Sequence, residues 1–124
     1  MNQLIPKHKF DIETAEKLND YSIDELRPII PALLEWMQDG NWPVFYPIRL
    51  FFEKHVEEIQ NEILDIFKTN DHLWKYWILL NLGKGINDEC LIAEIKRLAS
   101  NPSALEKAEE LDEISKELID DNGW

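Results

Sequence analysis

The chain has 124 residues, 44% of them apolar and 31% charged, with a formal net charge of −12. One domain of this length buries roughly two-thirds of its unfolded surface; the composition excludes intrinsic disorder, and no apolar run reaches the ~18–20 residues of a membrane span. So acidic a surface repels phosphate backbones, which makes nucleic acid a poor partner.

Helix punctuation recurs along the chain and strand signals are nearly absent. Asp11 is placed to cap a short helix carrying Ile12, Ala15 and Leu18. Ser22 and Glu25 form a capping box, in which hydroxyl and carboxylate each satisfy a free backbone N–H. Pro28 and Pro31 then divide the stretch, because proline lacks a helical donor and constrains the residue before it. The expected result is a turn ending near Arg27 and a new helix from about Pro31, with Leu33, Leu34, Trp36 and Met37 inward, stopping at Asp39-Gly40. Pro43 is expected in the first turn of the next helix, while Pro47 either kinks that helix or sets its true start.

Val56, Ile59, Ile63, Ile66 and Phe67 follow as an apolar stripe spaced by threes and fours. Asp71 opens a helix that is apolar nearly all round, and such a helix is expected to run through the middle of the domain and rank among its most buried. Gly83-Lys84-Gly85 ends it. Asn87 or Asp88 caps a helix bearing Leu91, Ile92, Ile95, Leu98 and Ala99. Asn101-Pro102 breaks that helix, and Ser103 with Glu106 forms a second capping box for the last one, expected to fray past Leu118, where Asp120 and Asp121 meet the negative end of its dipole.

Trp42 and Trp74, 32 positions apart, lie in segments that align without a gap: Asp39 with Asp71, Ile48 with Leu80, Leu50 with Leu82. A further step reaches Ser103, with Leu105, Ala108, Leu111 and Ile114 at matching apolar positions. Such periods mark stacked helical units, none of which buries its apolar face alone. The predicted fold is all-α: a short right-handed α-solenoid of about three helical hairpins (about 22–54, 56–83 and 88–121) plus a short N-terminal helix, in one domain over 1–124. The Trp, Leu-Gly and Tyr pattern of TPR units is missing; the break after the first helix and the Asp-bearing turns are closer to HEAT.

Chemical motifs are scarce. His8, His55 and His72 are scattered and Cys90 is the single cysteine, so the tight convergence of ligands that zinc needs is not visible. The segment from Asp11 to Asp24 lacks the acid alternation and central glycine of a calcium loop. Gly83-Lys84-Gly85 has no following Lys-Ser/Thr and reads as a helix end, not a phosphate loop. Cys90 sits in a first helical turn, which lowers a thiol pKa, but Asp88 and Glu89 oppose that effect; a partly buried, inert thiol is expected. With no disulfide partner and no basic-then-apolar start in Met1-Asn2-Gln3-Leu4-Ile5-Pro6, a cytoplasmic location is expected. No catalytic residue, metal or cofactor is expected, and the protein is not expected to be an enzyme.

Two concentrations remain. Residues 104–124 hold eight carboxylates against Lys107 and Lys116, half the net charge in the last sixth of the chain; this is either a solvated face or one that steers a basic protein. Ten of the thirteen aromatics fall between Trp36 and Trp77, and core packing accounts for most of them. Trp42 precedes a helix beside Asn41 and Pro43, Arg49 interrupts an apolar helix, and Lys75 lies between Trp74 and Tyr76, placed to stack on an indole. Trp42, Tyr46, Arg49 and Lys75 are therefore the candidate partner-binding residues, being types favoured at binding hot spots; the rim of a packed repeat interface would hold the same types.

Leu33-Leu34-Glu35-Trp36-Met37-Gln38-Asp39-Gly40-Asn41-Trp42-Pro43-Val44, Trp74-Lys75-Tyr76-Trp77-Ile78-Leu79 and Ile5-Pro6-Lys7-His8-Lys9-Phe10-Asp11 resemble a small bacterial family, number five thousand and seventy-one among domains of unknown function. The resemblance covers nearly the whole chain and implies an all-helical, HEAT-like fold with no established activity. It transfers no catalytic residue. The leading expectation is a protein-binding module of immunity or adaptor type with a basic partner. The alternatives are a self-associating structural protein and, least favoured, an enzyme with an unrecognised site.

Overall fold

A computed structural model describes residues 2–124, which hold nine α-helices and no strand. The first three are short: α1 (Ile12–Glu16), α2 (Ile23–Leu26) and α3 (Ile30–Leu34). Asp11 caps α1 by accepting from the Thr14 N–H, and both halves of the Ser22/Glu25 capping box are formed at α2. The tight 3-10 turn Arg27–Ile29 carries Pro28, and Pro31 opens α3, where its missing N–H is one that no helical carbonyl would accept.

Helix α4 (Phe45–Glu53) begins later than expected. Pro43 lies in the turn before it, and Pro47 is its third residue, so Pro47 marks the start instead of a kink. Helices α5 (Gln60–Phe67) and α6 (His72–Leu82) follow, the latter capped by Asp71 through the Trp74 N–H at 3.1 Å. Asp88, not Asn87, caps α7 (Glu89–Ser100). Beyond it the expected single helix is broken in two, α8 (Ala104–Ala108) and α9 (Leu111–Asn122). Glu110 stands between them in the left-handed region, at φ 60°. The end of α9 is not frayed past Leu118: the helix runs to Asn122, Gly123 adopts φ 71° as its cap, and the Gly123 and Trp124 N–H groups both donate to the Ile119 carbonyl.

Three of the later helices lie side by side, with α6 between α4 and α9. A second set backs them: α5 packs on α6 and α7, and α7 makes the most extensive helix contact of the molecule, along α9. The N-terminal α1 covers α4, and the Val44 N–H pins the preceding segment by donating to the Lys9 carbonyl at 2.9 Å. One continuous apolar core runs from Leu4 to Leu118 through all these elements and contains the whole Val56, Ile59, Ile63, Ile66, Phe67 stripe.

Polar contacts tie successive segments together. Arg27 reaches from the turn after α2 to the Glu62 carboxylate (2.9 Å) and the Glu58 carbonyl (2.7 Å). The Trp74 indole N–H donates to the Leu34 carbonyl at 3.1 Å. The Gln60 amide oxygen accepts from the Asn87 and Asp88 N–H groups where α7 begins.

The gapless repeat alignment does not survive in three dimensions. Ile48 is fully buried, whereas its counterpart Leu80 is 47% exposed. The cause is local. Asp71 caps α6 directly, but Asp39 is used up in its own turn, accepting from the Asn41 N–H, and the Trp42-Pro43 segment delays α4. Likewise Leu105 is 70% exposed and Ala108 is exposed, while Glu106 between them is buried.

Candidate functional site

The four side chains singled out from the sequence do not converge. Trp42 is half-buried, edge-on to Trp36 with ring centroids 5.5 Å apart. The two indoles line a groove of about 380 Å³ with Ile5, Pro6, Ala32 and Gln38. Tyr46 is 59% exposed on α4, with the Arg49 guanidinium 5.4 Å from its ring centre. Arg49 also meets Glu53 one turn on, at 2.5 Å, so it finds both solvent and the carboxylate its position demanded.

Lys75 corrects the reading most. It is not a surface residue stacked on an indole but is only 4% exposed, on the inner side of α6. Burial lowers its pKa, and the fields of Glu106, Glu94 and Asp71 partly restore it. Those glutamates belong to an ion network centred on Arg97. Arg97 makes a two-pronged contact to Glu106 (3.1 and 2.7 Å) and a second to Glu94, shortest at 2.6 Å. Glu106 also accepts from the Ser103 N–H, and hydrogen bonds from Arg97 above all hold its pKa down to about 2. This explains why α8 turns Glu106 inward and leaves Leu105 in solvent.

The site that does assemble lies on the opposite side of α6. That helix carries two apolar stripes. Ile78, Leu79 and Leu82 face the core, as expected of a central helix, but Leu73 (44% exposed) and Leu80 (47%) face solvent, with Tyr76 half-buried between them. The all-round apolar pattern therefore does not mean burial on every side: α4, α5 and α9 cover three flanks and leave one open.

Two adjoining hollows show what borders this face. Leu73 and Tyr76 line the first, of about 230 Å³, with Ala108, Glu109 and Glu110. Tyr76 and Leu80 line the second, of about 70 Å³, with Glu110, Glu113, Ile114 and Glu117. The pairing runs forward on both helices, so α6 and α9 are parallel along the face. Leu73, Tyr76 and Leu80 stand at i, i+3 and i+7, and Glu110, Glu113 and Glu117 repeat that spacing beside them. Each row is about 10 Å long at 1.5 Å per residue.

The face is held from below by aromatic packing. Tyr76 meets Trp77 edge-on at 5.6 Å, and Trp77 meets Phe45 of α4 in the same manner at 5.7 Å. The Trp77 indole nitrogen is buried without a hydrogen-bond partner among the described residues. Glu110 lines both hollows, and its left-handed backbone is a conformation that costs a residue with a Cβ roughly 1–2 kcal/mol.

Sequence reasoning missed this face because the helix opened by Asp71 reads as a buried central one, and nothing local sets the acidic segment, which reads as solvated or as steering a basic protein, beside it. A signal was present: the apolar residues of α6 exceed the one stripe, about 100° wide, that a packed helix needs. Cys90 is a smaller correction, being exposed instead of partly buried.

Fold and face together define an all-helical protein with an exposed apolar row set beside a row of carboxylates. The chain belongs to the family described as Domain of unknown function (DUF5071), whose profile matches residues 4–119. A comparison with curated proteins finds no match.

Proposed function

We propose that this protein is a non-enzymatic binding module that docks a basic protein partner, in the manner of an immunity or adaptor factor acting in the cytoplasm. In this reading the helices form a short right-handed HEAT-like array of three hairpins, with α4, α6 and α9 as one layer and α3, α5 and α7 as the other. The neighbour contacts of α4 with α6 and of α6 with α9 support that arrangement, as does the contact of α5 with α7. Arrays of this kind present one row of helices to their ligands.

One observation carries the proposal: the exposed Leu73 and Leu80, with the half-buried Tyr76 between them, lie beside Glu110, Glu113 and Glu117. Single exposed leucines are ordinary, but a contiguous apolar row rimmed by charge marks an interaction site. The net charge of −12 adds long-range attraction for a cationic partner. Self-association is the second reading, and the same exposed row favours it; opposing it, two copies would set like charges against each other.

The test is affinity capture from native cell extract with wild type and Leu80→Asp as parallel baits. A basic protein retained by wild type at low salt and lost on the variant is expected. Identical captured sets, or a self-complex that persists as the protein is diluted, overturn the proposal.

A further inference from the structure

The face on α6 and α9 has a shape that selects the secondary structure of its occupant, and this inference rests on the binding role proposed above. An extended peptide must find partners for its backbone N–H and C=O groups, as it does when it adds to a sheet edge. Beyond the first turn of α9, which no side chain caps, helices α6 and α9 satisfy their own backbones, so along most of this face they offer side chains alone. A helix arrives with its backbone already paired. It needs only apolar residues at i, i+3 or i+4, and i+7 to meet the row Leu73, Tyr76, Leu80.

Charge fixes the second requirement. Glu110, Glu113 and Glu117 run along one flank of the apolar row with the same spacing. An incoming helix whose apolar stripe covers α6 therefore sets the adjoining stripe against three carboxylates. A second copy of this chain is a poor occupant: no helix among the described residues carries three cations, and each copy is at −12.

We infer that the α6–α9 face is a docking groove for a basic amphipathic α-helix of a partner protein, with its apolar stripe on Leu73, Tyr76 and Leu80 and a flanking row of Lys or Arg on Glu110, Glu113 and Glu117. Arginine is favoured over lysine wherever the two-pronged carboxylate contact is geometrically open. The strained Glu110 sits where the two hollows meet, and its side chain serves both.

The experiment uses the full chain and two designed peptides of about 20 residues, long enough to hold helical structure. Both carry the same leucine stripe and the same number of arginines. In one peptide the arginines flank the stripe; in the other they lie on the opposite side of the helix. Titration is followed by NMR, with backbone and methyl signals resolved by residue. The flanking peptide is expected to shift Leu73, Tyr76 and Leu80 and their neighbours, and to bind about ten-fold tighter than the other at low salt. A Glu113→Gln, Glu117→Gln double variant is expected to remove that difference while keeping the wild-type melting temperature, since both positions are exposed.

Equal affinities for the two peptides, shifts elsewhere, or no binding overturn the inference. Shifts at the same residues that grow with protein concentration alone also overturn it, by giving the groove to a second copy. The capture experiment does not depend on the partner's secondary structure, so it separates the two failures. A basic protein lost on Leu80→Asp, with neither peptide binding, removes the helix and leaves the binding role standing.

Discussion

The Trp77 indole rests on Gly40 so closely that a Cβ built on the glycine would lie 2.6 Å from the ring atom Cζ3. The turn that ends the first helical segment is thereby locked to the middle of α6. Gly40→Ala must displace a ring that packs edge-on against Phe45 and Tyr76, and overpacking of this kind costs about 1–3 kcal/mol. The loss of unfolded-state freedom returns about 0.4–1 kcal/mol. Stability in urea is expected to fall by about 1–2 kcal/mol; an unchanged midpoint would show that the indole has room to move.

Glu110 holds a left-handed backbone that glycine adopts freely. Glu110→Gly is therefore expected to raise stability by about 1 kcal/mol, while weakening binding of a cationic helix by removing one carboxylate of three. Chemical denaturation beside the peptide titration checks both halves. A variant less stable than wild type would mean that the side chain repays the strain through contacts of its own.

The Arg97–Glu106 pair has a defined pH signature. Glu106 titrates near 4.5 in the unfolded chain and near 2 in the fold. Its contribution to stability is thus complete above about 4.5 and lost as pH falls from there through about 2. Arg97→Met is expected to cost about 1–3 kcal/mol at neutral pH, a range discounted because the arginine is partly exposed. The variant's melting temperature should also fall less steeply than the wild type's between those pH values. Parallel curves would mean that another carboxylate governs the acid limb.

Lys75 acts at the alkaline end of the pH range with the same sign. Burial lowers its pKa below the ordinary lysine value of 10.5. The unfolded chain therefore binds the proton more tightly, and this residue makes stability rise with pH until 10.5 is passed. Lys75→Met is expected to abolish that alkaline rise and to be neutral or stabilising near pH 7, because desolvation of the ammonium outweighs the attraction of the carboxylates around it. It should leave partner binding unchanged, since the ammonium does not reach the surface face. Loss of binding in a folded Lys75→Met protein would place the partner on the other side of α6.

Trp42→Ala is expected to act on stability. The side chain is packed edge-on against Trp36 and against the core, and removing a large aromatic from such a place costs about 3 kcal/mol or more when it is fully buried; a half-buried one should lose about 2. Thermal melts beside the peptide titration check this. A Trp42→Ala protein that melts like wild type yet no longer binds would restore Trp42 to the partner surface.

Local hydrogen bonding was legible without the fold. The Ser22/Glu25 and Ser103/Glu106 boxes and the caps at Asp11, Asp71 and Asp88 form as their spacing demands. Each depends on atoms three residues apart, so the information is complete within a single turn. The all-helical class followed from these signals and from the three-and-four spacing of stripes such as Val56 to Phe67.

Tertiary structure alone decided which side of a helix meets what. In α6 the sequence offers apolar residues on every side, and the choice to bury Ile78, Leu79 and Leu82 while leaving Leu73 and Leu80 open depends on how many neighbours are available to cover it. Lys75 goes inside within the fields of Glu94 and Glu106, which Arg97 gathers, and those residues are 19 to 31 positions away. Glu110 turns left-handed between a Glu106 held by Arg97 and the buried Leu111 and Ile114, so α8 and α9 do not continue as one helix. Composition and spacing specify what each helix can bury; only the assembled set of neighbours determines what it leaves exposed.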